Sequence, residues 1–181
     1  WGYVDSPVGR TADDARDGTS MFMVAGSAKD KATVMPALEA MGTEIIDCGD
    51  VGHGMTCKIG NNFMSTVGAV MVAEALRLAE SGGVGPDKAL EVINGTIAGN
   101  GHSKVHFPRK ALAGNLNPGF AIKHARKDVN IARTVMEREG FPCYTAKAAL
   151  EAYDAALDRG HGDNDWSDLY NVVKDIWSEN R

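Results

Sequence analysis

Lys58, Asn61, Asn62 and Ser65 stand at i, i+3, i+4 and i+7. At roughly 100° per residue that spacing puts an ammonium, two amides and a hydroxyl on one stripe of a helix. A stripe facing a core would be apolar, so these donors are expected to face something polar. Apolar residues follow them, at Phe63, Val67, Val70, Met71 and Leu78, and the segment reads as a buried helix whose first two turns carry the polar stripe. An isolated Lys on a first turn is ordinarily just solvated. Two adjacent Asn residues, which disfavour helix, set this stripe apart from that ordinary case.

The glycines just ahead of the stripe invite a different chemistry. Gly52-His53-Gly54-Met55-Thr56-Cys57 follows the apolar run Thr43 to Cys48 and opens a helix, where a phosphate-cradling G-x-G-x-x-G would sit. Cys57 occupies the place of the third glycine. The residue 20 positions past Gly54 is Glu74, inside a stretch of helical composition rather than at the end of a second strand. The fingerprint is therefore rejected, and the glycines are read as a hinge between two structural units.

Two further clusters are candidates. His102 and His106 stand at i, i+4, a spacing that can place two imidazoles on one metal, but Pro108 and the upstream glycines argue against a regular helix there. No carboxylate motif completes such a site nearby, so both are expected to be polar loop residues and no metal is expected. Lys123, Arg126 and Lys127 form a basic helix face. Solvation is the plain reading, yet Lys127 could reach a cofactor phosphate, ribose or amide if that face meets the stripe. Asp128 would then orient the local network.

The elements around these residues change character near position 50. Before it, Tyr3-Val4, Met21 to Gly26 and Thr43 to Cys48 are strand-like, and Asp30 to Met41 can form a helix with Val34, Leu38 and Met41 on one side, ended by Gly42 at the C′ position. Strand, helix, strand suggests the tail of an α/β sheet, although three strands are too few for a doubly wound fold. After it, helices are expected to about Ser81, from Pro86 to Asn94, from Phe120 to about Glu139, from Tyr144 to Arg159, and from Trp166 to about Ser178 with Asp165 as N-cap. Gly99-Asn100-Gly101-His102 reads as a flexible loop. The expected fold is mainly α, with residual C-terminal strands of a Rossmann-like α/β domain at residues 1 to 50 and an all-helical domain from 51 to 181.

Composition bounds the function. The 181 residues are 44% hydrophobic and 24% charged with a net charge of −5, which argues against a nucleic-acid groove. No apolar stretch approaches the ~20 residues needed to span a bilayer, and no signal peptide is visible. The odd number of cysteines, Cys48, Cys57 and Cys143, without a C-x-x-C, favours a reducing cytoplasmic compartment. The chain begins on the strand-like Trp1-Gly2-Tyr3-Val4 without an initiating Met, which reads as a cut edge.

Asp5-Ser6-Pro7-Val8-Gly9, then Gly52-x-Gly54-x-x-x-Lys58-x-x-Asn61-Asn62, then Lys127-Asp128 resemble, in order and spacing, the motifs of the β-hydroxyacid dehydrogenases. The resemblance covers essentially the whole chain and lacks only the N-terminal G-x-G-x-x-G half. Pro7 to Thr11, the run Gly95-Thr96-x-Ala98-Gly99-x-Gly101-His102, and Asp165-Trp166-Ser167 are similar to the branch that acts on sulfonated aldehydes.

That resemblance implies an NAD(P)-dependent oxidoreductase, with NADH favoured, acting on a short anionic aldehyde or hydroxyacid. Lys58 would be the general acid in reduction and the conjugate base in oxidation, because a hydride arriving at a carbonyl leaves an alkoxide that an ammonium can stabilise and protonate. Asn62 would hold the lysine or the substrate, Asn61 and Ser65 would bind a hydroxyl or anionic group, and Gly9 and Thr11 would offer donors from the loop. Lys127 would contact the nicotinamide cofactor. Arg10 puts a cation where carboxylate-specific relatives have flexible backbone, which favours a sulfonate over 3-hydroxyisobutyrate or tartronate semialdehyde chemistry. A homodimer or homotetramer is implied. A helical dimerisation or ligand-binding module without turnover is the alternative.

Overall fold

In the computed structural model, which describes residues 1 to 180, the first unit is built on strand β3, Ser20–Gly26. Its sequence does not alternate because both faces are covered, with Phe22, Met23, Val24 and Ala25 all buried. Strand β4, Gly42–Gly49, runs parallel to it after the connecting helix α2, Ala28–Met41. Two short strands, β1 at Val4–Asp5 and β2 at Val8–Gly9, pair antiparallel with opposite ends of β3, Val4 against Gly26 and Val8 against Phe22. The sheet thus has four strands rather than three, since the loop carrying Pro7 and Gly9 supplies one itself. A short helix α1, Ala12–Arg16, separates β2 from β3.

Helix α2 starts at Ser27, whose hydroxyl accepts from the Asp30 amide at 3.1 Å. Leu38 packs with Phe22 and Val24, supported by Val34 and Ile45, while Met41 is exposed. Gly42 does not adopt the expected left-handed cap. With φ −156° and ψ 168° it is extended and already part of β4. Glycine is required there for another reason: a Cβ would lie 2.3 Å from the Ser20 carbonyl oxygen of the neighbouring strand.

Helix α3, His53–Ser81, carries the polar stripe. Asp5 at the end of β1 holds its beginning, accepting from the Gly52 amide at 2.8 Å and the Met55 amide at 2.9 Å. Such a carboxylate satisfies amides that the first turn leaves without helical partners. Those backbone donors hold the Asp5 carboxyl below its usual range against the opposing effect of burial. Gly54 lies inside the helix, where a Cβ would come within 2.4 Å of the Met23 carbonyl oxygen. The expected glycine hinge is therefore a tight turn, with Gly49 and Gly52 at φ +99° and +95°, followed by a close helix-to-sheet approach. The two compact units, Trp1–Asn62 and the chain from Phe63 onward, divide within α3.

The second unit is helical. It comprises the rest of α3, then α4 at Pro86–Asn94, α5 at Phe107–Arg109, α6 at Ile122–Arg138, α7 at Tyr144–Asp158 and α8 at Leu169–Glu179. Gly99 to His102 is not simply a loop: His102–His106 forms one π-helical turn running into α5. Asp165 caps a 3₁₀ turn, Trp166–Asp168, that leads into α8, accepting from the Ser167 amide at 3.0 Å. Leu76, Phe107, Ile122, Val129, Tyr153, Leu169 and Val172 form the core, each worth about 1.5 to 3 kcal/mol where a large apolar side chain is fully buried. Alanines at 69, 73, 125, 146, 149 and 156 let the helices approach closely. The Tyr153 hydroxyl donates to the Thr66 carbonyl at 2.8 Å, tying α7 to α3. The fold is mainly α, a small sheet followed by helices, and no described helix is long and apolar enough to cross a membrane.

Candidate active site

Within the first unit the structure brings Lys58 to the loop that the motifs emphasise. Asp5 and Gly54 set the height and start of α3, and one turn later Lys58, half-buried, donates from Nζ to the Val8 carbonyl of β2 at 2.6 Å. Lys58 is therefore held beside Gly9, which is itself buried in the β2–β3 pairing. One turn on, Asn61 Nδ2 donates to Asn62 Oδ1 at 3.3 Å, with Asn61 exposed and Asn62 half-buried.

Arg10 and Thr11 are used differently. Arg10 has φ +67°, the single non-glycine residue in the left-handed region among those described. Its guanidinium donates to the Thr19 carbonyl, to Thr43 Oγ1 at 2.9 Å and to Glu44 at 2.6 Å, so it is engaged by β4 and the end of the loop. Thr11 is the N-cap of α1 in a reciprocal capping box with Asp14. Its hydroxyl is thus occupied in holding the loop.

In the second unit the remaining candidates lie among groups the sequence flagged only in part. The Ser65 carbonyl is 2.9 Å from His102 Nε2, and since a carbonyl only accepts, that nitrogen carries the proton. His102 is buried, and burial followed by the nearby His106 lowers its pKa to about 4. It is a neutral ring, and its Nδ1 is buried with no protein hydrogen-bond partner. Lys127 pairs with Asp128 at 2.9 Å while its side chain stays 61% exposed. Its neighbours on α6 are paired as well, Lys123 with Asp163 and Arg126 with Asp154. The basic face is consequently neutralised pair by pair, with Lys127 standing furthest into solvent.

The network missed by sequence reasoning centres on Asp165. Fully buried, it accepts from the Gly119 amide at 2.9 Å, from Ser167 Oγ at 2.7 Å, and from the His106 ring at 2.8 Å. The same His106 nitrogen faces the Trp166 indole N–H, which only donates, so the two contacts are alternatives; the ionised Asp165 carboxylate accepts the ring N–H. Burial raises the Asp165 carboxyl, but hydrogen bonds from His106 and Ser167 outweigh it and hold the pKa at about 2. Its stabilisation is complete above the ordinary Asp value near 3.8 and is lost as the pH falls toward 2, because only the ionised form accepts all these donors. The Asp165→Asn variant is expected to be destabilised by about 2 kcal/mol at pH 7 and to show a flatter fall of Tm between pH 5 and pH 2. Calorimetry across that range checks it, and an unchanged acid slope would refute the assignment. No group of three or more His, Cys, Asp or Glu side chains among the described residues could hold a metal ion.

Comparison with known proteins adds the family. Residues 52–173 match the family model described as the NAD-binding domain of NADP-dependent 3-hydroxyisobutyrate dehydrogenase, and residues 1–50 match the NAD-binding domain of 6-phosphogluconate dehydrogenase. The chain belongs to the 3-hydroxyisobutyrate dehydrogenase family. Among members of this NAD(P)-dependent family, it is 38% identical over 94% of its length to 3-sulfolactaldehyde reductase of Escherichia coli, covering 57% of that protein. It is 30% identical over 94% of its length to a probable mitochondrial 3-hydroxyisobutyrate dehydrogenase of Dictyostelium discoideum, covering 55% of it. Among solved structures, the 3-hydroxyisobutyrate dehydrogenase of Mycobacterium tuberculosis with L-serine is similar at 27% identity and TM-score 0.86, over 94% of this chain and 60% of that one. The chain thus spans little more than half the length of the family members it matches.

Proposed function

We propose that the complete polypeptide is an NAD(P)-dependent reductase of a short anionic aldehyde, with Lys58 as the proton donor. The observation that carries this reading is the placement of the Lys58 ammonium against the Val8 carbonyl, where it is fixed beside the Pro7-Val8-Gly9 loop. A nicotinamide cofactor, when bound, supplies the hydride that converts the aldehyde carbon to an alcohol. Lys58 donates the balancing proton to the carbonyl oxygen and, in the reverse direction, takes it from the alcohol. Asn61, Asn62 and Ser65 bind the substrate's hydroxyl and anionic groups, and Gly9 and Thr11 shape the loop that holds Lys58. Lys127 suits a cofactor oxygen because its ammonium is exposed yet charge-balanced by Asp128. NADH is favoured over NADPH, and the compartment is cytoplasmic.

The substrate favoured is 3-sulfolactaldehyde, supported by the 38% identity to 3-sulfolactaldehyde reductase against 30% to the Dictyostelium enzyme. Turnover of the complete polypeptide with sulfonated and carboxylated aldehydes, followed through nicotinamide absorbance, tests the reading. No turnover with any of them would overturn it in favour of a non-catalytic helical module.

The same reading includes pairing of two copies, as a homodimer or within a homotetramer. Met64, Met71 and Leu78 are 77%, 62% and 75% exposed at i, i+7 and i+14 of α3, with Gly68 and Ala75 between them. That is a heptad seam of large and small residues, which a two-fold copy of itself can cover. Wild type is expected to sediment as an oligomer at micromolar concentration, and a Met71→Glu, Leu78→Glu double variant at about tenfold weaker association or worse, since each buried charge would lack a partner. A monomeric wild type would refute the seam.

A further inference from the structure

His102 is fixed by hydrogen bonds at its backbone and by packing around its ring, all within the second unit. Its amide donates to Asn100 Oδ1 at 2.9 Å, and the same oxygen accepts from the Ser103 amide at 3.2 Å. The fully buried Ser103 hydroxyl accepts from the Asn100 amide at 2.9 Å and donates to Asn94 Oδ1 at 2.6 Å, which ties the run to the end of α4. Gly99 permits that approach, since a Cβ there would lie 3.0 Å from Asn94 Cα. The π-helical turn then closes from the Phe107 amide onto the His102 carbonyl, a geometry that recurs at functional sites. The His102 ring stands edge-on to Trp166, His106 and Phe107, with centroids 4.7, 5.8 and 6.1 Å away. On α3 it lies over Gly68, where a Cβ would come within 3.4 Å of His102 Cδ2.

Stability does not account for a histidine in this place. Its Nδ1 is buried with no hydrogen-bond partner among the described residues, a cost that an apolar side chain of similar size would not incur. Its Nε2 donates to the Ser65 carbonyl at 2.9 Å, yet that carbonyl lies inside α3, where helical geometry already offers it the Ala69 amide. The contact is therefore not needed to satisfy a buried acceptor. What it does is hold one turn of α3, the turn that carries Ser65.

We propose that His102 is a positioning residue for the substrate's anionic group: by anchoring the Ser65 carbonyl it fixes the turn of α3 that presents the Ser65 hydroxyl. The inference rests on the reading of Ser65 as a ligand of that group. A turn held at one carbonyl by a buried, rigid ring cannot rock about the helix axis, so the hydroxyl is oriented before the substrate arrives and little ordering remains to be done on binding. Ser65 meets the anionic end of the substrate and not the reacting carbonyl. Its contact is thus equally strong in the ground state and the transition state, and the influence of His102 falls on KM rather than on kcat.

Two substitutions in the complete polypeptide test this, assayed with 3-sulfolactaldehyde and melted by circular dichroism. His102→Leu keeps the volume and removes both nitrogens, whereas His102→Gln places an amide N–H at about the reach of Nε2. The Leu variant is expected to raise KM about 3- to 10-fold with kcat within about twofold of wild type, the loss of one hydrogen bond's worth of positioning. Its Tm should equal or exceed that of wild type, because the unpaired Nδ1 is gone. The Gln variant should return KM to within about twofold of wild type. An unchanged KM in His102→Leu, an equal rise of KM in both variants, or a lowered Tm in His102→Leu would each overturn the proposal and leave His102 a packing residue. A wild type that turns over no anionic aldehyde would instead overturn the reading of Ser65, and this inference with it.

Discussion

In the complete polypeptide, Lys58→Ala is expected to lower kcat by about 10² to 10⁴ while cofactor affinity changes little, the usual worth of a positioned general acid. The reason lies in where charge develops. Hydride arriving at the aldehyde carbon leaves an oxyanion, and without the Lys58 ammonium that charge must be stabilised by water alone. Lys58 is half-buried and oriented by the Val8 carbonyl at 2.6 Å, so it need not search for its position during each turnover. Lys58→Arg separates charge from proton transfer. A guanidinium keeps the positive charge but does not readily give up a proton, so kcat should stay low even if binding recovers. A Lys58→Ala enzyme with nearly wild-type kcat would end the assignment, and an Arg variant that restores turnover would reduce Lys58 to an electrostatic role.

The helical placement of the candidate residues was legible because helical spacing survives folding intact. Lys58, Asn61 and Asn62 share the stripe that their spacing dictates, and the helix begins where the turn glycines end. The helices from 86 onward also lie within a few residues of their expected bounds, since Pro86 and Asp165 act locally. What spacing could not show are the long-range partners. Asp5 was read as part of a loop motif, yet it caps α3 from 47 positions away. Gly54 resembled phosphate-loop chemistry because the same absent Cβ serves any close approach, here to the Met23 carbonyl. His102 and His106 looked like loop residues beside Pro108. The packing of buried His102 against Trp166 and the pairing of half-buried His106 with Asp165 depend on residues some 60 positions later, which no local pattern reports. Arg10 is the most instructive case: its charge suggested a ligand, and the structure gives it Glu44 from a strand whose register only the fold determines.

That ion pair sharpens the expected substrate preference. The complete enzyme should reduce 3-sulfolactaldehyde with higher kcat/KM than tartronate semialdehyde or methylmalonate semialdehyde, and Arg10→Gly should narrow the margin. A charge-assisted contact to a sulfonate is worth about 1.5 to 3 kcal/mol, whereas an exposed Arg–carboxylate pair is worth about 0 to 1 kcal/mol. Arg10 and Glu44 are 33% and 49% exposed, so trading Glu44 for a sulfonate oxygen is favourable by the difference. The net loss on Arg10→Gly is then about 0.5 to 3 kcal/mol, or roughly 2- to 150-fold in kcat/KM for the sulfonate. Glycine is the right replacement because Arg10 sits at φ +67°, a conformation glycine adopts without strain, so the variant reports the guanidinium and not the backbone. Glu44→Gln supplies the opposite arm. It weakens the competing pair and should lower KM for the sulfonated aldehyde while leaving the carboxylated ones nearly unchanged. If Arg10 merely pins the loop to β4, both variants will instead lose activity on all three aldehydes together. A wild-type preference for either carboxylate would remove the sulfonate reading and leave the family assignment in place.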